Sequence, residues 1–193
     1  LLGVAHERAA IQSLCDLAIL LDKGKTVMEG KPETVLDYYN ALIAEKESST
    51  IQQLKRDDGR IQTFSGSQEA RVTKIELLDE QGSILGAVNV GDWVTLAVEV
   101  TIHSDIPSLV FGYLIKDRLG HEVFGTNTFH AHIPLDDLKM GQLIHIECRF
   151  QANLGAGSYS VATGLHTGES HVGKNYEWKE LAMVFDVQNN IHD

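Results

Sequence analysis

Apolar and polar residues alternate with a period of two along most of the second half of the chain. In residues 93–102, Val94, Leu96, Val98, Val100 and Ile102 fall on one side while Thr95, Glu99 and Thr101 fall on the other. Successive side chains of an extended strand point to opposite faces, so this pattern predicts a strand with one solvated side. Residues 142–151 repeat it, with Ile144, Ile146, Cys148 and Phe150 inward and His145, Glu147 and Arg149 outward. Residues 158–166 set Tyr159, Val161, Thr163 and Leu165 against a row of Ser158, Ser160, Ala162, Gly164 and His166. Further strands are expected over 71–78, 83–88 and 182–187, separated by polar or glycine-rich breaks, with loops over 130–141 and 167–181. Short strands at this spacing, without helices between them, predict an all-β fold: an antiparallel β-sandwich of immunoglobulin-like or jelly-roll type.

The most informative stretch is 108–129. Residues 109–116 alternate, Asp117-Arg118-Leu119-Gly120 breaks the pattern, and 122–128 reads as the returning strand of a hairpin. Pairing Lys116 with His121 sets Gly112 opposite Gly125 and Val110 opposite Asn127. Phe111, Tyr113, Ile115 and Phe124 then face the core. The other face has two glycines at its centre, rimmed by Lys116, His121 and Asn127. Glycine inside a strand often marks a place where a ligand or another backbone comes close, so this bare face is a candidate binding surface. Gly164 of the 158–166 strand extends it into a shallow groove, unless the small residues serve close packing of another strand or protomer.

The first part of the chain has a different period. Ala10, Ile11 and Leu14 suit a helix over 7–15, residues 17–21 and 26–28 suit two short strands, and Pro32 suits the first turn of an amphipathic helix running to about Ala44. Residues 45–70 are charged and rich in Gln and Ser, and read as a linker. Three parts are therefore expected, over 1–44, 45–70 and 71–193.

The formal charge of −11 and the absence of a Lys/Arg cluster argue against a nucleic-acid partner. No apolar run approaches the length of a membrane span. Cys15 and Cys148, far apart in the chain, form no disulfide or metal-ligand pattern and suit a reducing, cytoplasmic setting.

Two sets of motifs carry a resemblance. His6, Leu14-Cys15-Asp16, Leu20-Leu21-Asp22-Lys23-Gly24-Lys25, Gly30-Lys31-Pro32 and residues 35–39 resemble the closing stretch of an ABC-transporter ATP-binding domain, with Ala5 departing from the usual Ser or Thr. Downstream, Phe124-Gly125-Thr126-Asn127-Thr128, Leu154-Gly155-Ala156-Gly157-Ser158-Tyr159-Ser160-Val161, Gly164-Leu165-His166 and Phe185-Asp186-Val187 resemble the C-terminal domain of Wzt-type ATP-binding subunits of bacterial O-polysaccharide exporters. The resemblance implies that 1–44 is an ATP-binding-domain remnant in which His6 is the switch histidine. It also implies that 71–193 is a β-sandwich that binds the exported O-antigen polysaccharide. The same resemblance implies a transmembrane exporter subunit as partner and a place at the inner face of the bacterial inner membrane.

Sugar recognition sets aromatic faces against the apolar patches of pyranose rings and polar groups against hydroxyls. Tyr176 and Trp178, two apart in a polar stretch and so on one side if extended, are the aromatic candidates; the other reading places them over the core. Asn127, Phe129, His166 and Lys116 complete the candidate set, although Asn127 can equally serve a loop backbone. His130, His132, His166 and His171 lack the spacing of a cupin-like metal site, no nucleophile motif is present, and no cofactor is expected. The rival to a non-catalytic glycan module is a protein-interaction or dimerisation sandwich. The terminal 182–187 strand can pair within its own chain or with a neighbour's, and a homodimer, with or without that exchange, is expected.

No phosphate-binding loop of the G-x-x-x-x-G-K-[ST] type occurs. The chain is accordingly expected not to hydrolyse ATP, and phosphate release above background from a highly purified sample would overturn that expectation.

Overall fold

The computed structural model describes residues 8–22, 24–45, 52–55, 61–168 and 174–189. His6 lies outside them. Two helices, α1 (Arg8–Leu14) and α2 (Pro32–Glu45), flank the two-stranded ribbon of β1 (Ala18–Asp22) and β2 (Lys25–Gly30). Pro32 occupies the first turn of α2, where the missing N–H costs nothing. There follow β3 (Gln52–Lys55), β4 (Ile61–Ser65), β5 (Ala70–Leu78), β6 (Ala87–Asn89), β7 (Trp93–Ile102) and β8 (Ile106–Ser108). The chain continues through β9 (Val110–Lys116), β10 (Glu122–Asn127), β11 (Asp136–Leu138), β12 (Leu143–Gln151), β13 (Gly157–His166) and β14 (Asn175–Gln188).

The strands form an antiparallel sandwich. One sheet runs in the order β10-β9-β13-β14-β4-β3, with β6 added to β14 by a parallel pairing; the other runs β12-β7-β5. Their inner faces supply one core. Val94, Leu96, Val98, Val100 and Ile102 from β7 meet Phe111, Tyr113, Ile115, Val161, Leu165, Phe185 and Val187 from the larger sheet. The alternation in β7 translates into burial of every second residue, and in β12 it separates half-buried inward residues from exposed ones.

Three expectations need correction. Residues 45–70 are not simply a linker: β3 and β4 lie within them and join the larger sheet, Trp178 pairing with Ser65 and Lys179 with Phe64. The polar composition hid them because β4 buries Thr63 and Ser65, not large apolar side chains. Nor is 167–181 a long loop, since β14 is continuous from Asn175 to Gln188. Finally, the β9–β10 register differs by two residues, Gly112 facing Asn127 and Leu114 facing Gly125, with an irregularity between Glu122 and Phe124. An even shift preserves the faces but changes which side chains are neighbours.

Where β14 passes the free edge of β5, charged side chains take the place of a strand partner. Glu177 Oε2 accepts the Val72 N–H at 2.8 Å, and Lys179 Nζ donates to the Val72 carbonyl at 2.9 Å. Glu177 is 1% exposed, and burial pushes its carboxyl above the usual range against the opposing pull of Lys179, the Val72 N–H and Arg71. A raised folded pKa means the native state holds a proton that the unfolded chain has lost. Stability on this account therefore increases as pH falls from neutral toward the ordinary carboxylate range near about 4.3. We expect E177Q, which cannot ionise, to lack this increment. Its melting temperature relative to the unaltered chain should be highest at neutral pH and decline on acidification; a difference independent of pH would refute the assignment.

Candidate functional site

The strand registers bring five residues of the outer face of the larger sheet into one transverse row. Asn127 faces Gly112, Gly112 faces Gly164, Gly164 faces Trp178 and Trp178 faces Ser65, on β10, β9, β13, β14 and β4 respectively. The indole of Trp178 lies over Gly164. A Cβ built there would meet its Cε3 and Cζ3 at 3.0 and 3.1 Å, so the missing side chain is what allows the ring to lie this close. Trp178 Nε1 donates to Glu180 Oε1 at 3.0 Å, which fixes the ring's orientation, and the indole remains partly exposed.

The glycines do not leave a wholly bare face. Leu114 covers Gly125, where a Cβ would sit 2.3 Å from Leu114 Cδ2. Gly112 is flanked by Asn127 Cβ and the Thr126 carbonyl, and it forms the uncovered floor between Asn127 and the covered Gly164. Asn127 itself anchors the turn beyond β10 by accepting the His130 N–H at Oδ1, 2.8 Å away. Phe129 sits in that turn, 38% exposed, with its ring edge-on to His130.

Three predicted site residues belong elsewhere. Tyr176 is 1% exposed and part of the core, its hydroxyl donating to the Ser108 carbonyl at 3.1 Å, and burial pushes the phenol up to about 12. The physical reason is a bulge. Asn175 pairs with His166 and Glu177 with Leu165, so Tyr176 is an extra residue in β14 and the i, i+2 rule linking it to Trp178 fails. His166 is buried at the end of β13, its Nδ1 3.4 Å from the neighbouring Thr167 carbonyl. Lys116 is also buried, held between Glu180 at 2.6 Å and Asp37 of α2 at 3.6 Å. Sequence reasoning missed Glu180, whose partner Lys116 lies 64 positions away and carries no sequence signal.

With this geometry in view, comparison with known proteins is decisive. The profile of the Wzt C-terminal domain family matches residues 62–193, more than half of the chain. The chain belongs to the Wzt C-terminal domain family. A crystal structure of the C-terminal domain of Wzt shares the fold, with a TM-score of 0.63 and 16% identity over 71% of this chain and 82% of that one. A Niemann-Pick type C2 protein from Japanese carpenter ant aligns more loosely, with a TM-score of 0.41 and 10% identity over 64% of this chain and 96% of that one. No curated protein matches the sequence. Among the described residues, no helix is long and apolar enough to cross a membrane. The family match begins inside β4, in agreement with the finding that β4 belongs to the sandwich.

Within this Wzt-type domain, the positions of Tyr176 and Trp178 lead to opposite mutational outcomes. Y176A removes a fully buried ring and is expected to cost about 3–5 kcal/mol, whereas W178A should cost roughly half as much because its ring is only partly buried. Denaturant unfolding of the two variants measures this. Equal losses would contradict the inward and outward assignments.

Proposed function

We propose that the chain is a non-catalytic carbohydrate-binding module that recognises an O-antigen polysaccharide and couples it to an ABC exporter. The observation that carries this reading is the Trp178 indole laid over Gly164, oriented by Glu180 and in line with Gly112 and Asn127. A flat aromatic surface beside a low floor suits the apolar patches of a pyranose ring, and nearby amide and backbone groups suit its hydroxyls. Holding the ring in place before binding reduces the ordering cost that a free side chain would incur. Membership of the Wzt C-terminal domain family supports the reading. On the same reading, the part over 1–44 is the tail of an ATP-binding domain that joins this module to the exporter's transmembrane subunit. The assembly is a homodimer at the cytoplasmic face of the inner membrane.

The test is a screen of the whole chain against bacterial O-polysaccharides and their oligosaccharide fragments, followed by calorimetry on any glycan bound. W178A is expected to weaken binding by about 1–3 kcal/mol, the scale of a lost aromatic anchor. G164A should weaken it as well, because the added methyl lifts the indole. W93A serves as a control, since Trp93 stacks on Arg149 on the smaller sheet. Full affinity in W178A, or no glycan bound across the screen, would reject the proposal.

A further inference from the structure

The sheet face that carries Trp178 continues into the contact with the N-terminal part of the chain, and the two are joined by a chain of buried charges. Glu180 divides its carboxylate: Oε1 accepts from Trp178 Nε1 at 3.0 Å, and Oε2 lies 2.6 Å from Lys116 Nζ. Lys116 Nζ lies 3.6 Å from Asp37 Oδ1 on α2. These three charged residues are nearly sealed from water, at 1% exposure for Glu180, 3% for Lys116 and 5% for Asp37. An ion buried without its partner is strongly unfavourable. Lys116 lies beside both carboxylates, so its position bears on each of them.

A second contact comes to the same hairpin from the other helix. Gly120, at the β9–β10 turn with φ of +79°, is buried against the N-terminal part; a Cβ there would lie 2.6 Å from Gln12 Nε2 of α1 and 3.4 Å from Glu33 Cγ of α2. The hairpin thus has one end seated on α1 and α2, through Gly120 and Lys116, and its other end in the row of Gly112 and Asn127. Beside these contacts, a cavity of about 640 Å³ opens between the two parts, lined by Lys31, Thr34 and Asp37 on one side and Arg118, Ser160 and Leu181 on the other. Direct packing of α2 on the sandwich runs along β4 and β14, and the hairpin tip and the ion cluster add contacts from β9 and its turn.

We propose that the tip of the β9–β10 hairpin is a docking point for the N-terminal helices beside the α2 contact with β4, and that Lys116 ties the seating of α2 to the setting of Trp178. When α2 withdraws, Asp37 leaves the cluster, Lys116 and Glu180 readjust around the remaining pair, and the indole loses its fixed acceptor geometry. Movement of the N-terminal part is thereby reported on the outer face of the sandwich, and a ligand that clamps Trp178 favours the seated helix in return. The docking stands on contacts within the chain and does not depend on which ligand the face receives.

The test uses the whole chain without ligand. The chain has two tryptophans, so in a W93F background emission reports Trp178 alone. D37N keeps the shape of the side chain but removes its charge. We expect it to accelerate amide exchange at least tenfold over residues 33–39 and 117–121 relative to β7, and to shift the emission of Trp178; D37E, which keeps the charge, should restore both. Q12A probes the docking away from the ion cluster and should raise exchange at 117–121 about threefold. Unchanged exchange in both D37N and Q12A would overturn the docking. Accelerated exchange with unaltered Trp178 emission in D37N would overturn the link through Lys116. If D37N does not melt cooperatively, Q12A alone decides the docking, and K116R, which keeps a cation but alters its reach, decides the link by the same emission measurement. A failure of the glycan reading leaves all of these outcomes in force, because every measurement is made without sugar.

Discussion

The structure depends on fitting a fourteen-residue strand beside a ten-residue one. β14 must stay hydrogen-bonded to β13 along its length, because both supply core residues and β14 also carries β4 and β6. The excess is absorbed at two irregularities. Tyr176 is inserted between the pairs Asn175–His166 and Glu177–Leu165, and residues 180–182 stand together opposite Ala162, with Leu181 in the left-handed region at φ of +48°. Each insertion re-aims the side chains beyond it. The first turns Tyr176 into the core and Trp178 out of it. The second lies beside Glu180, which is buried under the outer face where it meets both Trp178 and Lys116. The aromatic platform and the ion cluster thus arise from one mismatch in strand length.

The outer face works through small residues as much as through the large one. Gly164 on the central strand leaves room for the Trp178 indole that covers it, and a larger residue there would push the indole away from the sheet. Gly125 has a different role, making room for Leu114 from the neighbouring strand. Glycine in a strand normally weakens it, since it carries the largest backbone entropy and no packing group. At Gly112 of β9 the two flanking ladders compensate by pairing it on both edges, to β10 and β13. The result is a stiff surface whose relief is set by the omission of side chains.

Charge plays two separate parts. At the β5 edge, Glu177 and Lys179 satisfy both backbone groups of Val72, so that residue is paired without another strand. At the opposite limit of β9, Lys116 holds carboxylates from two different regions of the chain. Both arrangements give buried polar groups several partners, the condition under which their burial is tolerated.

The sequence by itself determined the central strands with one inward side, because a period of two is a local property, and the burial of Val94 through Ile102 and the half-burial of Ile144 through Phe150 follow from it. It also determined the family, since the order of the Phe124, Leu154 and Phe185 motifs is readable without coordinates. The sequence singled out Trp178 and Asn127 separately, and only the strand registers place them in one row. Tertiary structure alone decided that Tyr176 is core, that β3 and β4 belong to the sheet, and that Lys116 is buried between Asp37 and Glu180. The reason is the same in each case. Bulges, partner strands and ion pairs depend on contacts between distant residues, and a single extra residue reverses every facing that local alternation had implied.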